Sequence, residues 1–352
     1  MTKRVVICGG GAIGCAIAYF LSKRGAASVV IERHEVAGSA SGKSGGFLAR
    51  DWCRCTPLDR LARRSFDLHA ELAAELGNPW GHRPLTTYCG HVGHGGGTRL
   101  SWISDEVAIT GRLGSTSTTA IVEPRGFTTG LLKASGAELK CGTVAGLKGT
   151  SVVLESGETV EGDAVVIAMG PWSVLAARWM ATPAVYGFKG HSLIFRTGDT
   201  VPAEALFLEY QEANGEVLTP EIFPRADGTV WACAISSDDP LPLDPAHVRP
   251  DPGAHDRLEA LCRRVSPALA AAPVVARQAC FRPVTEDGVP LIGAVGNGVF
   301  VATGHSVWGM LNSPATGEAM AELILDGDAK HVDLAPFAPQ RLDALDPARL
   351  GG

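Results

Sequence analysis

The chain has 352 residues, which at about 150 residues per domain predicts two domains. Its net charge of −6 and lack of a long basic run argue against a nucleic-acid partner, and no apolar stretch approaches the roughly 18 residues of a membrane span. Hydrophobic residues make up 45% and charged residues 19%, enough apolar material for a full core.

Val5–Cys8 is a short apolar run with the length of one buried strand. Gly9, Gly11 and Gly14 follow in G-x-G-x-x-G spacing. Ile13, Ile17, Phe20 and Leu21 then recur at helical spacing until Gly25, and Val29–Ile31 gives a second strand that closes on Glu32. Strand, glycine turn, helix, second strand and acid together predict a βαβ unit that holds a dinucleotide. The first glycine permits the tight turn, the second lets backbone N–H groups reach a pyrophosphate, and the third lets helix and strand pack closely. The helix N-terminus adds unpaired N–H donors and partial positive charge. A carboxylate at Glu32 suits ribose hydroxyls and repels a 2′-phosphate, which argues against NADP. The motif alone leaves NAD and FAD open.

Gly38–Gly46 is a small polar loop of Gly and Ser around Lys43, suited to pressing bare backbone against a flat ligand. Leu58–Leu76 reads as an amphipathic helix stopped by Gly77. Residues 81–97 carry His82, His91 and His94 among glycines, without acidic or cysteine partners nearby. They read as a solvated loop, and no metal site is expected. Thr118–Val122 predicts a strand and Glu123–Thr128 opens a helix. Three strands are expected within 139–168, around Val144, at Val152–Leu154 and at Ala164–Ala168. The last runs into Gly170-Pro-Trp172, a strand end of the kind that touches cofactor in a parallel sheet. From 185 to 235 the pattern turns to short alternating runs with turn signals, which predicts an antiparallel sheet. Residues 238–256 read as a Pro- and Asp-rich connector, followed by a helix near 255–264. Val299–Ala302 is a last buried strand, Gly304–Gly309 a glycine turn and 314–325 a helix.

The nine cysteines are odd in number and form no C-x-x-C pair. Cys8 and Cys15 fall on core faces. A reducing, cytoplasmic setting is expected, since the first strand begins by Val5 and leaves no room for a cleaved signal.

Val5–Glu32, Gly38–Gly46, Glu123–Thr128, Gly170–Trp172, Arg282–Gly293 and Ala302–Gly317 run in an order that resembles the D-amino-acid oxidase superfamily of flavoprotein amine and amino-acid oxidoreductases. The likeness is greatest to its glycine oxidase and sarcosine oxidase branch. The resemblance implies an α/β fold in which a Rossmann-like FAD-binding domain carries an inserted antiparallel-β (α+β) substrate domain. The FAD-binding part would comprise 1–80, 118–180 and 275–345, and the substrate-binding part 81–117 and 181–274. The implied FAD contacts are Gly9, Gly11, Ala12, Ile13, Gly14, Glu32 and Arg33; Ser39, Ser41, Lys43, Ser44, Gly45 and Gly46; Val144, Gly170, Trp172 and Cys280; and Gly304, His305, Ser306, Val307, Trp308 and Gly309.

The reaction so implied is oxidation of a C–N bond in a small amino acid or secondary amine. Hydride passes to flavin N5, water hydrolyses the imine, and O2 or another acceptor reoxidises the flavin. Arg282 stands where glycine oxidase-like enzymes place an arginine for the substrate carboxylate. The other reading is an ion pair with Glu286 or Asp287. Cys280 aligns with the cysteine that sarcosine oxidase-like enzymes bond to flavin, and an inert thiol is the alternative. Trp308 would wall the pocket. His305 would bond flavin or backbone, or act as acid–base catalyst. Glu221 and Arg225 belong to the sheet that roofs the substrate, where Glu221 meets a substrate amine or is an exposed strand residue. Lys43 would assist oxygen activation or pair with phosphate. Trp52, Cys53 and Cys55 are further candidates for the pocket wall. A 2-hydroxy acid dehydrogenase and a non-catalytic flavoprotein are the competing functions.

Overall fold

The computed structural model describes residues 3–93 and 100–350. Arg4–Cys8 is the centre of a six-stranded sheet. It pairs in parallel with Ala27–Glu32 on one side and Ala164–Ile167 on the other. Glu138–Cys141 extends the first side in parallel, and Val299–Thr303 then Leu291–Gly296 complete the second, the last pair antiparallel. Val5, Val6, Ile7 and Cys8 are all fully buried, as an apolar run covered on both faces must be. The helix Ala12–Lys23 lies against this sheet and against the long helix Gly309–Asp326. Close approach there needs small residues: a Cβ on Gly317 would sit 2.7 Å from the Ala16 carbonyl carbon.

A second, eight-stranded sheet carries the insertion. Its main path runs Val274–Val284, Tyr186–Arg196, Thr229–Ser237, Glu221–Pro224, Glu204–Gln211, Thr86–Val92 and Val107–Gly114, with Val217–Leu218 paired at the side. All pairs are antiparallel except Glu204–Gln211 with Thr86–Val92. The helix Ala254–Val265 covers one face through Leu258, Leu261, Cys262 and Val265. The strand Val274–Val284 pairs with Tyr186–Arg196 along its length, so Arg282 belongs to this sheet by hydrogen bonding.

Several expectations need correction. The stretch read as a solvated loop from 81 holds the strands Arg83–Pro84 and Thr86–Val92. His94 lies outside the described residues. The strands Glu138–Cys141 and Val107–Gly114 went unread: their alternation is weak, and long-range pairing recruits them. The Gly38–Gly46 loop contains a short helix, Ala40–Lys43. The last helix begins at Gly309, five residues before Pro314. Proline inside a helix removes the bond to the carbonyl four residues earlier. Here that carbonyl, Met310 O, accepts from His69 Nε2 at 3.0 Å and Ser313 Oγ at 2.9 Å. Ala315 N donates to Ser65 Oγ, and His69 Nε2 also meets Leu311 O at 3.2 Å. Side chains from another helix thus satisfy the backbone that Pro314 disturbs.

Candidate active site

Two cavities share Gly11, Ala40, Ser41, Ala168 and Gly170 and form one long cleft. The first cavity follows the end of the six-stranded sheet. Gly9, Gly11, Glu32, Arg33, Ser39, Ser41, Val144, Gly170 and Trp172 all line it. Gly9 has φ +115°, and a Cβ there would lie 2.3 Å from Ala168 O, so only glycine makes this turn. Gly14 lines neither cavity. A Cβ on it would stand 2.0 Å from Gly9 O, so it serves helix–strand packing. Glu32 Oε2 accepts from Gly10 N at 2.8 Å and Oε1 from His34 N at 3.1 Å, which fixes the carboxylate at the cavity edge.

The residues 242–245, read as connector, lie across this end. Trp172 Nε1 donates to Pro242 O at 2.7 Å and Arg33 Nη1 to Leu243 O at 2.8 Å. His34 Nε2 meets Asp244 Oδ1 at 2.6 Å, and Pro245 joins the lining. Two of these three ties are made by peptide carbonyls, for which side-chain pattern carries no signal.

The second cavity gathers Gly11, Ala12, Ile13, Ser41, Lys43, Ser44, Gly45, Gly46, Gly170, Glu221, Cys280, Arg282, His305, Ser306, Val307, Trp308 and Gly309. Gly304 stands outside its lining. It has φ +80°, and a Cβ would meet Thr285 Cγ2 at 2.6 Å. The loop Gly38–Gly46 is clasped from the other sheet: Arg225 Nη2 donates to Ser44 O at 2.7 Å and Trp231 Nε1 to Lys43 O at 2.9 Å. Gly45 lies so close that a Cβ would meet Phe223 Cδ2 at 2.5 Å. Arg225 is therefore a positioning residue for the loop. It is absent from the cavity lining.

One face of the eight-stranded sheet forms the wall. Glu221 is opposite Cys233, and Cys280 and Arg282 project from the same side two positions apart. Arg282 Nη2 donates to Ser236 Oγ at 2.7 Å, and its guanidinium lies 5.1 Å from the Phe188 ring. Gly190 beside it leaves room, since a Cβ there would stand 3.3 Å from Nη2. Among the described residues no carboxylate pairs with Arg282. Asp287, its expected rival partner, is bound to Arg341 Nε at 2.7 Å. Glu221 departs from the exposed-strand reading: it lines the cavity, and burial pushes its carboxyl above the usual range, against the pull of Cys233 and Arg282. Cys280 faces the same cavity, its thiol raised by burial against the pull of Lys43 and Arg282. Lys43 Nζ donates to Ala279 O at 3.1 Å, on the wall side of the cleft.

His305 is buried, and desolvation lowers its pKa to about 3, so its ring is neutral. Its Nε2 meets Thr316 Oγ1 at 3.1 Å, while Nδ1 is buried without a partner among the described residues. Trp52 joins the lining, with Trp308 edge-on at 6.4 Å. Cys53 is buried and Cys55 exposed, and neither lines the cleft. Sequence reading missed Phe47, Phe207, Phe223 and Trp231. Phe47 stacks on Phe223 at 4.9 Å and Phe223 on Trp231 at 5.3 Å. Strand alternation marks one common face for Phe207, Phe223 and Trp231, and that was the available signal, whereas Phe47 comes from a separate three-stranded sheet.

The cleft fits FAD in its chemistry: a crowded glycine turn with the Glu32 carboxylate beside it at one end, and bare backbone with a buried Nδ1 that has no partner among the described residues at the other. Comparisons with known proteins agree. The family model DAO, FAD dependent oxidoreductase, matches residues 4–323. A putative oxidoreductase of Schizosaccharomyces pombe is 25% identical, with 96% of this chain and 98% of that one covered. A glycine oxidase of Geobacillus kaustophilus is 28% identical over 97% of this chain and 98% of its own. The crystal structure of glycine oxidase from Geobacillus kaustophilus superposes with a TM-score of 0.80 at 26% identity, covering 97% of this chain and 99% of that one. L-proline dehydrogenase from P. horikoshii shares the fold, with a TM-score of 0.75 at 19% identity and 97% of each chain covered. Among the described residues no helix is long and apolar enough to cross a membrane. The chain belongs to the DAO family of FAD-dependent oxidoreductases, and it is an enzyme of the oxidase or dehydrogenase type with a Rossmann FAD-binding fold.

Proposed function

We propose that the enzyme oxidises the C–N bond of a small amino acid or secondary amine, with O2 or another acceptor taking the electrons. The observation that carries this reading is Arg282, a guanidinium in the second cavity with a single hydrogen bond to Ser236 and no carboxylate partner among the described residues. A guanidinium so disposed suits a substrate carboxylate, which it binds by two parallel bonds. The flavin supplies the hydride-accepting chemistry, and the protein's task is to bind and orient. Gly9, Gly11, Glu32 and Ser41 would hold the dinucleotide, and the turn 304–309 with Gly45 and Gly46 would border the ring. The glycine oxidase likeness supports an amino-acid substrate.

A 2-hydroxy acid dehydrogenase would want a histidine base near the hydroxyl. His305 suits that poorly, since it is buried with its pKa lowered to about 3 and its Nε2 engaged by Thr316. A reducing, cytoplasmic setting fits nine free cysteines. The test is anaerobic mixing of the yellow holoenzyme with glycine, sarcosine, proline and 2-hydroxy acids. Bleaching by an amine is expected, and bleaching by 2-hydroxy acids alone would sink the reading. Cys280 borders the cavity and is offered as the attachment point for FAD. After acid precipitation, yellow colour in the pellet supports a covalent bond, colour in the supernatant rejects it, and Cys280→Ser should release the colour.

A further inference from the structure

We infer that Glu221 receives the substrate's ammonium group and takes its proton, so that one sheet face reads both ends of an amino-acid zwitterion. The inference rests on the amine reading above. Glu221 and Arg282 project from strands of one sheet into one cavity. Each feels the other's charge, yet they form no ion pair among the described residues. Among the described residues the carboxylate has one hydrogen bond, from Cys233 Sγ to Oε2 at 3.5 Å. The side chains around it are apolar: Phe207 is its cross-strand neighbour, and Phe223 shares its strand and face. Leaving a half-buried carboxylate among apolar side chains with one thiol donor is costly unless a ligand completes it.

A molecule that bridges the two groups must carry an anion toward Arg282 and a cation toward Glu221, which is the charge pattern of an amino-acid zwitterion. The titratable and charged groups that line this cavity with Glu221 are Lys43, His191, Cys233, Cys280, Arg282 and His305, and burial lowers the pKa of His191, whose ring nitrogens meet Ile235 O and Asp251 N. Of these, Cys233 is raised well above its ordinary range and stays a thiol, and His305 is neutral. None competes for the proton. Burial increases the proton affinity of Glu221, as removing a proton from an ammonium demands. In the step, an N–H bond breaks and its electron pair remains on nitrogen. The proton forms an O–H bond on Glu221, and nothing is oxidised or reduced. The free amine so produced is the species from which hydride can leave.

The test compares wild-type holoenzyme with Glu221→Gln by anaerobic flavin reduction at pH 6 to 10, using whichever amine of the screen bleaches the wild type. Benzoate binding, read from flavin absorbance, reports the Arg282 half independently. The rate constant over Kd should fall by roughly tenfold per pH unit below the substrate's own amine pKa in Glu221→Gln, because only free amine from solution then reacts, while the wild type stays nearly flat. Benzoate affinity should stay within about twofold. Parallel pH profiles overturn the inference, as does an equal loss of benzoate binding, which marks a structural role. If Glu221→Gln fails to retain FAD, Glu221→Asp replaces it. A flat profile with weaker amine binding then supports the inference, and unchanged amine binding overturns it. Failure of every amine to bleach the wild type removes the underlying reading and this inference together, whereas amine bleaching with parallel profiles removes this inference alone.

Discussion

Arg282 shows how much one side chain decides. Its neighbours leave it open: Asp287 is taken by Arg341, Gly190 clears space, and Ser236 fills one donor. Arg282→Ala should therefore lower kcat/KM by about a hundredfold, mostly through KM, in line with about 3 kcal/mol for charge-assisted hydrogen bonds. Arg282→Lys should recover only part, because an ammonium lacks the planar fork. Steady-state kinetics on the amine found by the screen checks both. Gly45 is the steric counterpart. A Cβ there meets Phe223 at 2.5 Å and Trp231 at 2.9 Å. Gly45→Ala should cost about 1–3 kcal/mol through forced repacking, read as a lower holoenzyme Tm and weaker FAD binding.

At the scale of elements, the cleft depends on segments from one sheet that hold parts of the other. The loop Gly38–Gly46 hangs from Arg225 and Trp231, and the strap 242–245 is tied to Arg33, His34 and Trp172. Cutting the strap's charged tie should loosen the dinucleotide end without touching the substrate wall. Asp244→Ala is expected to speed FAD loss on dilution by about tenfold, the equivalent of one charge-assisted bond, with substrate KM unchanged at saturating FAD. Backbone bonds from Ala246 and the His34 side chain hold the Asp244 carboxyl below its usual range, so this contribution persists above the ordinary carboxylate pKa and is lost as pH falls below it.

For the whole molecule, burial of neutral imidazoles sets the acid limit. His69, wedged on the carbonyls freed around Pro314, and His305 are both lowered from 6.5 to about 3 by desolvation. Their folded-state pKa is depressed, so the unfolded chain binds more protons through that window. The stability they contribute is fully present above the unfolded value and drains as pH falls toward the folded one, by about 1.4 kcal/mol per pH unit for each proton. Tm with saturating FAD should hold steady above pH 7 and decline steadily below about 6.5. His69→Gln, whose amide can still donate to Met310 O, should flatten that decline by about one proton's worth. A slope unchanged by the substitution would remove His69 from this account.

What the sequence by itself determined is the dinucleotide cradle and its fold. Val5–Glu32 encodes strand, turn, helix, strand and acid within thirty residues, because those contacts are made between neighbours along the chain and leave periodic traces. Likeness to a family also pointed to Arg282 and Trp308, which line the second cavity, and to the Gly304 turn. Tertiary structure alone decided the wall of the second cavity. Lys43 meets Ala279 across 236 positions, and Trp231 meets Lys43 across 188. Alternation in a strand says that Glu221 and Phe223 share a face, but not whether that face meets water or a cavity. In sequence, Glu221 therefore stays open between a substrate contact and an exposed strand residue. Only the packing of the second sheet over the cleft makes it a half-buried carboxylate that lines a cavity with Arg282. The strap was illegible for a further reason: two of its three ties to the rest of the fold are made by main-chain carbonyls, which every residue carries alike.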